Sequence, residues 1–473
     1  MRVQLAPMRD QAAPIYLQLY QRLREAIADG RLQPGERVPS VRALASELNL
    51  ARGTVEAAYQ LLVGEGYLLP RGPAGTVVSP QLPQSPPSTG VSTKPRTRSA
   101  PSERSLREAL PFQLGLPALD AFPRKLWSRL GARHLRQLAS ADLDYPDAQG
   151  LYALRSSLVR YLGVSRGIAC EPQQVFITAS YRSSLLLIRQ ALLQAGDACW
   201  FEDPGYFKAR EALEGADLQL IPVPVDDQGL RVDDGRKLAA NARCALVTPS
   251  HQSPLGVSLS LPRRLALLDW AQASQAWIVE DDYDSEYRYV GRPLPALKSL
   301  DHHGRVLYCG TFSKVLFPGL RLAYLVVPPA QVEPFTACAR IFDHAGPALS
   351  QAITADFLDQ GHFARHLKRM RALYAERRDF LAKALEQVFG ARLRVELQAG
   401  GIHLLARLNE SGDDIALAAR AQGAGLAVMA LSQWARKYPC GSGLLLGFTN
   451  IASAEQALHL ARRLATALDQ EAR

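Results

Sequence analysis

A single lysine, Lys314, stands between hydroxyls, glycines and an arginine in Gly310-Thr311-Phe312-Ser313-Lys314-Val315-Leu316-Phe317-Pro318-Gly319-Leu320-Arg321. Its amine can form a Schiff base with a carbonyl, and Thr311, Ser313 and Arg321 are residue types that grip a phosphate. A carbonyl and a phosphate held together point to pyridoxal 5'-phosphate (PLP). A lone Ser-Lys pair is ordinary on protein surfaces, so the other residues of the chain decide its meaning. Asp281 follows the apolar run that begins at Trp277 and can pair with a protonated pyridine nitrogen, keeping the ring an electron sink. Tyr283 can bond the ring's phenolic oxygen, and Tyr206, in Glu202-Asp203-Pro204-Gly205-Tyr206, offers a flat face for stacking. In the turn Ser250-His251-Gln252-Ser253-Pro254-Leu255-Gly256, Gln252 or Ser253 could approach the same oxygen. Thr178-Ala179-Ser180-Tyr181 marks a strand meeting a helix N-terminus, where the N–H groups of Ser180, Tyr181 and Arg182 could hold phosphate.

These residues need strand ends to present them. From Phe112 onward, apolar runs alternate with helical segments, which predicts a largely parallel sheet covered on both faces. The expected strands include 175–178, 198–202, 245–248, 277–280, 306–308 and 323–327, and Lys314 falls just beyond one of them, where open α/β sheets bind ligands. A later cluster, 393–397, 402–408 and 444–448, predicts a smaller α+β subdomain within about 370–473. No GxGxxG, Walker or metal-ligand spacing occurs, so dinucleotide, nucleotide and metal readings have no support.

The first 80 residues follow a different pattern. Ile15, Leu19, Leu23 and Ile27 recur at helical spacing up to Asp29-Gly30. Ser40 is a ready N-cap for a short helix, 41–48, and Asn49-Leu50-Ala51 turns the chain into a third helix from about Arg52. The stretch 66–78 then reads as a β-hairpin, a wing around Pro70–Gly75. A third helix so placed offers Arg52, Gly53 and Thr54 to a major groove, with Arg42 for the phosphate backbone and Arg71 for phosphate or the minor groove.

Residues 81–111 are rich in Pro, Ser and Thr without apolar periodicity, and read as a linker between a DNA-binding domain at 10–80 and a larger domain at 112–473. The chain of 473 residues exceeds one ordinary core. No apolar run is long enough to span a bilayer, and the N-terminus lacks a signal-peptide core, which gives the expectation of a soluble, cytoplasmic protein. Its six cysteines are scattered and read as reduced thiols, and the net charge of +10 admits an anionic partner.

Val38-Pro39-Ser40-Val41-Arg42-Ala43-Leu44-Ala45, Arg52-Gly53-Thr54-Val55, Tyr59 and Glu65-Gly66-Tyr67-Leu68 resemble the winged helix-turn-helix of GntR-type bacterial regulators, with Ala51 where a serine is frequent. The resemblance implies that Ser40, Arg42, Arg52, Gly53, Thr54, Tyr59 and Arg71 serve DNA binding. Thr248-Pro249-Ser250-His251-Gln252, Glu280-Asp281-Asp282-Tyr283-Asp284-Ser285-Glu286 and Gly310–Lys314 resemble the fold type I aminotransferases. The two halves together are similar to MocR-type regulators, a DNA-binding module fused to an aminotransferase-like sensor. That likeness implies Lys314 as the Schiff-base lysine, Asp281 at the ring nitrogen, Tyr283 and Ser253 at the ring oxygen, and Tyr206 on the ring face. It further implies Ser180, Tyr181, Thr311, Ser313 and Arg321 around the phosphate, promoter DNA as partner, a head-to-tail homodimer and a place at the bacterial nucleoid. Ser180–Ser184 departs from the glycine and paired glutamines usual at the phosphate helix. The late strand near Ser442–Phe448 lacks the arginine that clamps an amino acid's carboxylate, for which Arg407, Arg436 or Lys437 could substitute. The expectation is therefore a regulator that senses PLP or a small amine or amino acid with residual or no transaminase activity. The alternatives are an active aminotransferase with an accessory DNA-binding module, and a regulator without cofactor.

Overall fold

The computed structural model describes residues 13–81, 109–291, 294–342, 345–409 and 412–469. Nearly all of the expected 81–111 linker lies outside the described residues. The chain falls into two compact units, Met1–Ser105 and Leu106–Arg473.

The first unit holds three helices, α1 (Ile15–Ala28), α2 (Val41–Leu48) and α3 (Arg52–Gly64). Leu19 and Leu23 of α1, Leu44 of α2 and Val55, Ala58 and Leu62 of α3 recur on the inner faces and close one core. The Ser40 hydroxyl accepts the Ala43 N–H at 3.2 Å and starts α2, and Asn49 ends it in the left-handed region at φ +53°. The wing strands are β2 (Leu68–Pro70) and β3 (Thr76–Val78), paired antiparallel from Leu68↔Val78 to Pro70↔Thr76. A strand the sequence did not announce, β1 (Arg37–Val38), adds to the other edge of β3.

The second unit is built on an eight-stranded sheet. Its strands are β4 (Val175–Thr178), β5 (Ala198–Asp203), β6 (Gln219–Asp226), β7 (Gly229–Leu230), β8 (Cys244–Val247), β9 (Trp277–Asp282), β10 (Val306–Thr311) and β11 (Ala323–Val326), in the order β4-β11-β10-β9-β8-β5-β6-β7. β6, β5, β8, β9 and β10 run parallel, whereas β11 is antiparallel to both β10 and β4. Alternate residues feed opposite cores: Cys199, Phe201, Leu246 and Val279 pack on one face, and Trp200, Ala245, Val247 and Ile278 on the other. A four-stranded antiparallel sheet, β12 (Leu393–Glu396), β13 (His403–Leu408), β14 (Met429–Ala430) and β15 (Gly443–Gly447), forms the smaller part in the order β12-β13-β15-β14. The helices His362–Phe389 and Ala454–Asp469 pack together beside it. The fold is thus an N-terminal winged helix-turn-helix followed by an α/β unit with a mixed sheet and a C-terminal α+β portion.

Candidate functional site

The parallel strands of the large sheet turn polar at their C-terminal ends, and these ends meet around one cavity of about 320 Å³. Asp281 and Tyr283 reach it from the end of β9, Thr311, Ser313 and Lys314 from the end of β10, and Arg321 from the approach to β11. Ser180, Tyr181 and Arg182 line it from the first turn of the helix Tyr181–Leu192, while Tyr206 and Ser253 enter from the loops after β5 and β8. The sequence-selected cofactor residues are therefore brought together, from segments up to 141 positions apart in the chain (Ser180 to Arg321).

Their surroundings set their chemistry. Lys314 Nζ donates to the carbonyl of Gly115 at 2.7 Å, and Gly115, at φ +68°, has no room for a Cβ against that nitrogen. Burial, and then the charge of Lys208, lower the Lys314 amine to about 8, so its neutral form is accessible near physiological pH. The acidic run on β9 sorts by strand alternation. Glu280 accepts the N–H groups of Leu297 and Lys298 at 2.8 Å each, and Asp282 lies 2.9 Å from Arg166 and accepts from the Tyr308 hydroxyl at 2.6 Å. Asp281 faces the cavity, and among the described residues no basic side chain forms an ion pair with it. Burial lifts its carboxyl to about 8. The buried hydroxyl of Tyr181 has no hydrogen-bond partner of normal geometry. Ser180 caps its helix by accepting the Ser183 N–H at 3.1 Å.

Several contacts were not visible from spacing. His251 Nδ1 lies 3.0 Å from the Tyr283 hydroxyl and 3.1 Å from Asp284 Oδ1, so the histidine behind Tyr283 is itself held by a carboxylate. His251 belongs to the turn 250–256, whose Gln252 and Ser253 are the residues expected near the ring oxygen. Of the two neighbours, Gln252 is spent on structure: its amide donates to Glu202, to Pro204 O at 2.8 Å and to Ser253 O, leaving Ser253 at the cavity. Asp203 accepts the backbone N–H groups of Arg436, Lys437 and Tyr438 at 2.7–2.9 Å, tying the loop after Trp434 to the end of β5. The opposite wall of the cavity is mostly apolar, with Leu114, Ile402, Met429, Trp434 and Leu445 beside His403. The proposed substitutes for a carboxylate clamp are not there. Arg407 is paired with Glu396 at 3.0 Å, the Arg436 side chain with Glu214, and Lys437 lies over the Tyr438 ring. None of the three lines the cavity; the cations that do are Arg182, Lys208, Lys314 and Arg321.

In the first unit, Arg42, Arg52, Gly53 and Arg71 are exposed, Ser40 is exposed while capping α2, and Thr54 is half-buried at the start of α3. Tyr59 departs from the expectation. It is 5% exposed and its hydroxyl donates to Pro39 O at 2.8 Å, because its place on α3 faces the core, so it supports the turn into α2 and does not present itself to DNA. Arg37, which the sequence reading passed over, lies against the wing, where a Cβ on Gly75 would meet its guanidinium at 2.7 Å.

Residues 15–78 match the family "Bacterial regulatory proteins, gntR family", and residues 124–436 match "Aminotransferase class I and II". The probable rhizopine catabolism regulatory protein MocR of Rhizobium meliloti is 37% identical over 94% of this chain and 92% of its own. The pyridoxine biosynthesis transcriptional regulator PdxR of Corynebacterium glutamicum is 34% identical over 91% of each. Among solved structures, the kynurenine aminotransferase of Pyrococcus horikoshii in complex with PMP superposes with a TM-score of 0.69 at 27% identity, covering 76% of this chain and 91% of that one.

Proposed function

Since the chain belongs to the MocR-type transcriptional regulators, which join a GntR-family helix-turn-helix to an aminotransferase domain, we propose that it binds promoter DNA through α3 and senses PLP or a small amine or amino acid in its large unit. The single observation that carries the sensing half is the placing of an amine and a buried acid in one cavity: Lys314, lowered to about 8, and Asp281, which among the described residues is in no ion pair. Those residues, with the unsatisfied Tyr181 hydroxyl, fit PLP. When bound, PLP supplies a carbonyl carbon open to attack by amines and a ring that withdraws electrons. Lys314 provides the attacking nitrogen and Gly115 O orients it. Asp281 holds a protonated ring nitrogen, which supplies the cation its buried carboxyl lacks. Tyr283 and Ser253 attend the ring oxygen, and Tyr206 covers one ring face. The helix start at Ser180 and Tyr181, with Thr311, Ser313 and Arg321, receives the phosphate. In this reading the working form is a head-to-tail homodimer in the cytoplasm, as the likeness to MocR-type regulators implies; among the described residues no helix is long and apolar enough to cross a membrane.

Titration of the protein with PLP should give a visible absorbance band that Lys314→Ala abolishes, and footprinting at stated salt should give protection at a defined promoter sequence. Protection at no particular sequence would reject the regulator. An aminotransferase with an accessory DNA-binding module is favoured by the likeness to the kynurenine enzyme and disfavoured by the apolar Leu445 wall. Release of a keto acid from any free amino acid at catalytic rates would establish that second reading.

A further inference from the structure

The helix Arg124–Gln137 carries Arg124, Lys125, Arg129, Arg133 and Arg136 and no carboxylate. Between His362 and Ala375, the helix His362–Phe389 carries Arg365, Lys368, Arg369 and Arg371, again with none. Both helices pack against a third, Ala348–Asp359, and are linked by aromatic contacts. Phe122, just before the first, lies 5.9 Å from His366, and Phe357 bridges Trp127 at 5.6 Å and His362 at 5.7 Å. Their cations converge as well: His362 is held below its usual value by burial, then by Arg365 and Arg129, one from each helix.

The neighbouring acids are already used. Asp356 takes Arg133 and His134, and Asp359 takes Arg160 at 2.6 Å. Arg124, Lys125, Arg129, Arg365, Lys368 and Arg369 are all exposed, and among the described residues none of these six is in an ion pair. Lys125 and Arg129, like Arg365 and Arg369, are spaced i,i+4, a spacing at which like charges repel along a helix. A helix surface facing only water gains from interspersed signs, so exposed cations of one sign on two helices that flank a common third are suited to a polyanion.

We propose that this two-helix face of the large unit is a second DNA contact, docking on the phosphate backbone of duplex DNA. The inference rests on the DNA-binding reading of the first unit and extends it. Flexible exposed lysines and arginines grip phosphates without reading bases, so the face adds affinity and leaves sequence preference to α3.

The test uses the full-length protein and a duplex carrying its footprinted site, with binding measured by anisotropy from about 50 to 200 mM salt. R365Q/K368Q/R369Q should weaken binding at least tenfold and make the log–log salt slope shallower by about 2–3, close to 0.9 per lost phosphate contact. R124Q/K125Q/R129Q on the other helix should reproduce the effect, and an unchanged melting midpoint in either variant excludes misfolding as its cause. Both variants should still prefer the site over a scrambled duplex. Wild-type slope and affinity in both would overturn the proposal and leave the face to an acidic protein or to solvent. R52A separates the two readings: it should abolish site preference while retaining most of the slope, and if it changes nothing, the α3 reading fails on its own account.

Discussion

Asp281 and Asp282 are neighbours of identical chemistry with opposite fates. Asp282 is satisfied by Arg166 and Tyr308, and Asp281 is buried without a cation, its carboxyl raised from 3.8 to about 8. The ligand-free folded chain therefore keeps a proton on Asp281 that the unfolded chain releases, and stability from this group falls as pH rises from 3.8 to about 8. Asp281→Asn removes that liability. Its gain in melting temperature in the ligand-free protein should be absent near pH 4, grow through the window and be complete above about 8, while PLP affinity drops. An equal gain at both ends would show that ionisation is not the cause. At this scale the sequence was most readable where charge or hydroxyl stood at a strand end, as for Lys314, Asp281 and Thr311. It was silent on Gly115 and His251, since a glycine carbonyl that meets an amine 199 positions later leaves no local signature. Tyr59 was misjudged for a related reason: membership of a motif does not say which helix face a residue occupies, and only the core decides that.

Among the elements, those with strong periodicity or caps were legible, and the short or proline-bearing ones were not. α1 and α2 follow from apolar spacing and from Ser40. β6 is absent from the expected strands, and it carries Pro222 and Pro224; next to the sheet edge, with only Gly229–Leu230 beyond it, their missing N–H groups are tolerable. β1 has two residues and exists only through its pairing with β3. The direction of β11 could not be read from composition, since an antiparallel strand buried on both faces is as apolar as its parallel neighbours. Ser40 and Tyr59 give a paired prediction at this level. Ser40→Ala, which removes the α2 cap, should cost about 1 kcal/mol of stability in the winged helix-turn-helix. Tyr59→Phe, which loses the bond to Pro39, should cost a similar amount, about 1 kcal/mol, yet leave site preference intact below the melting transition. A Tyr59→Phe protein that stays fully folded but no longer discriminates its site would return Tyr59 to the DNA interface.

For the molecule as a whole, the question is how occupancy of the cavity is reported outward. One side of the cavity is tied directly to the sheet. Lys314, Ser313 and Arg321 belong to the loop joining antiparallel β10 and β11, which is clamped by the Thr311↔Ala323 pair and by Phe312 N–H to Leu322 O at 3.1 Å, with Phe312, Val315 and Leu316 buried beneath it. The facing side, with Met429, Trp434 and Leu445, is fastened to the end of β5 and the loop after it by the three N–H groups that Asp203 accepts, by the Gly205 N–H to Trp434 O at 3.2 Å and by Tyr206 and Phe207 against Trp434. Hydrogen exchange with PLP and a candidate amine should therefore change at Arg436, Lys437 and Tyr438 and stay constant across 312–322. The reverse pattern would contradict this division. Because its anchoring loop returns on itself as a hairpin, the amine end of the cavity serves as a fixed datum. In the proposed sensor a ligand's size would then be measured by how far the apolar wall must stand off from it, so discrimination would rest on bulk as much as on charge.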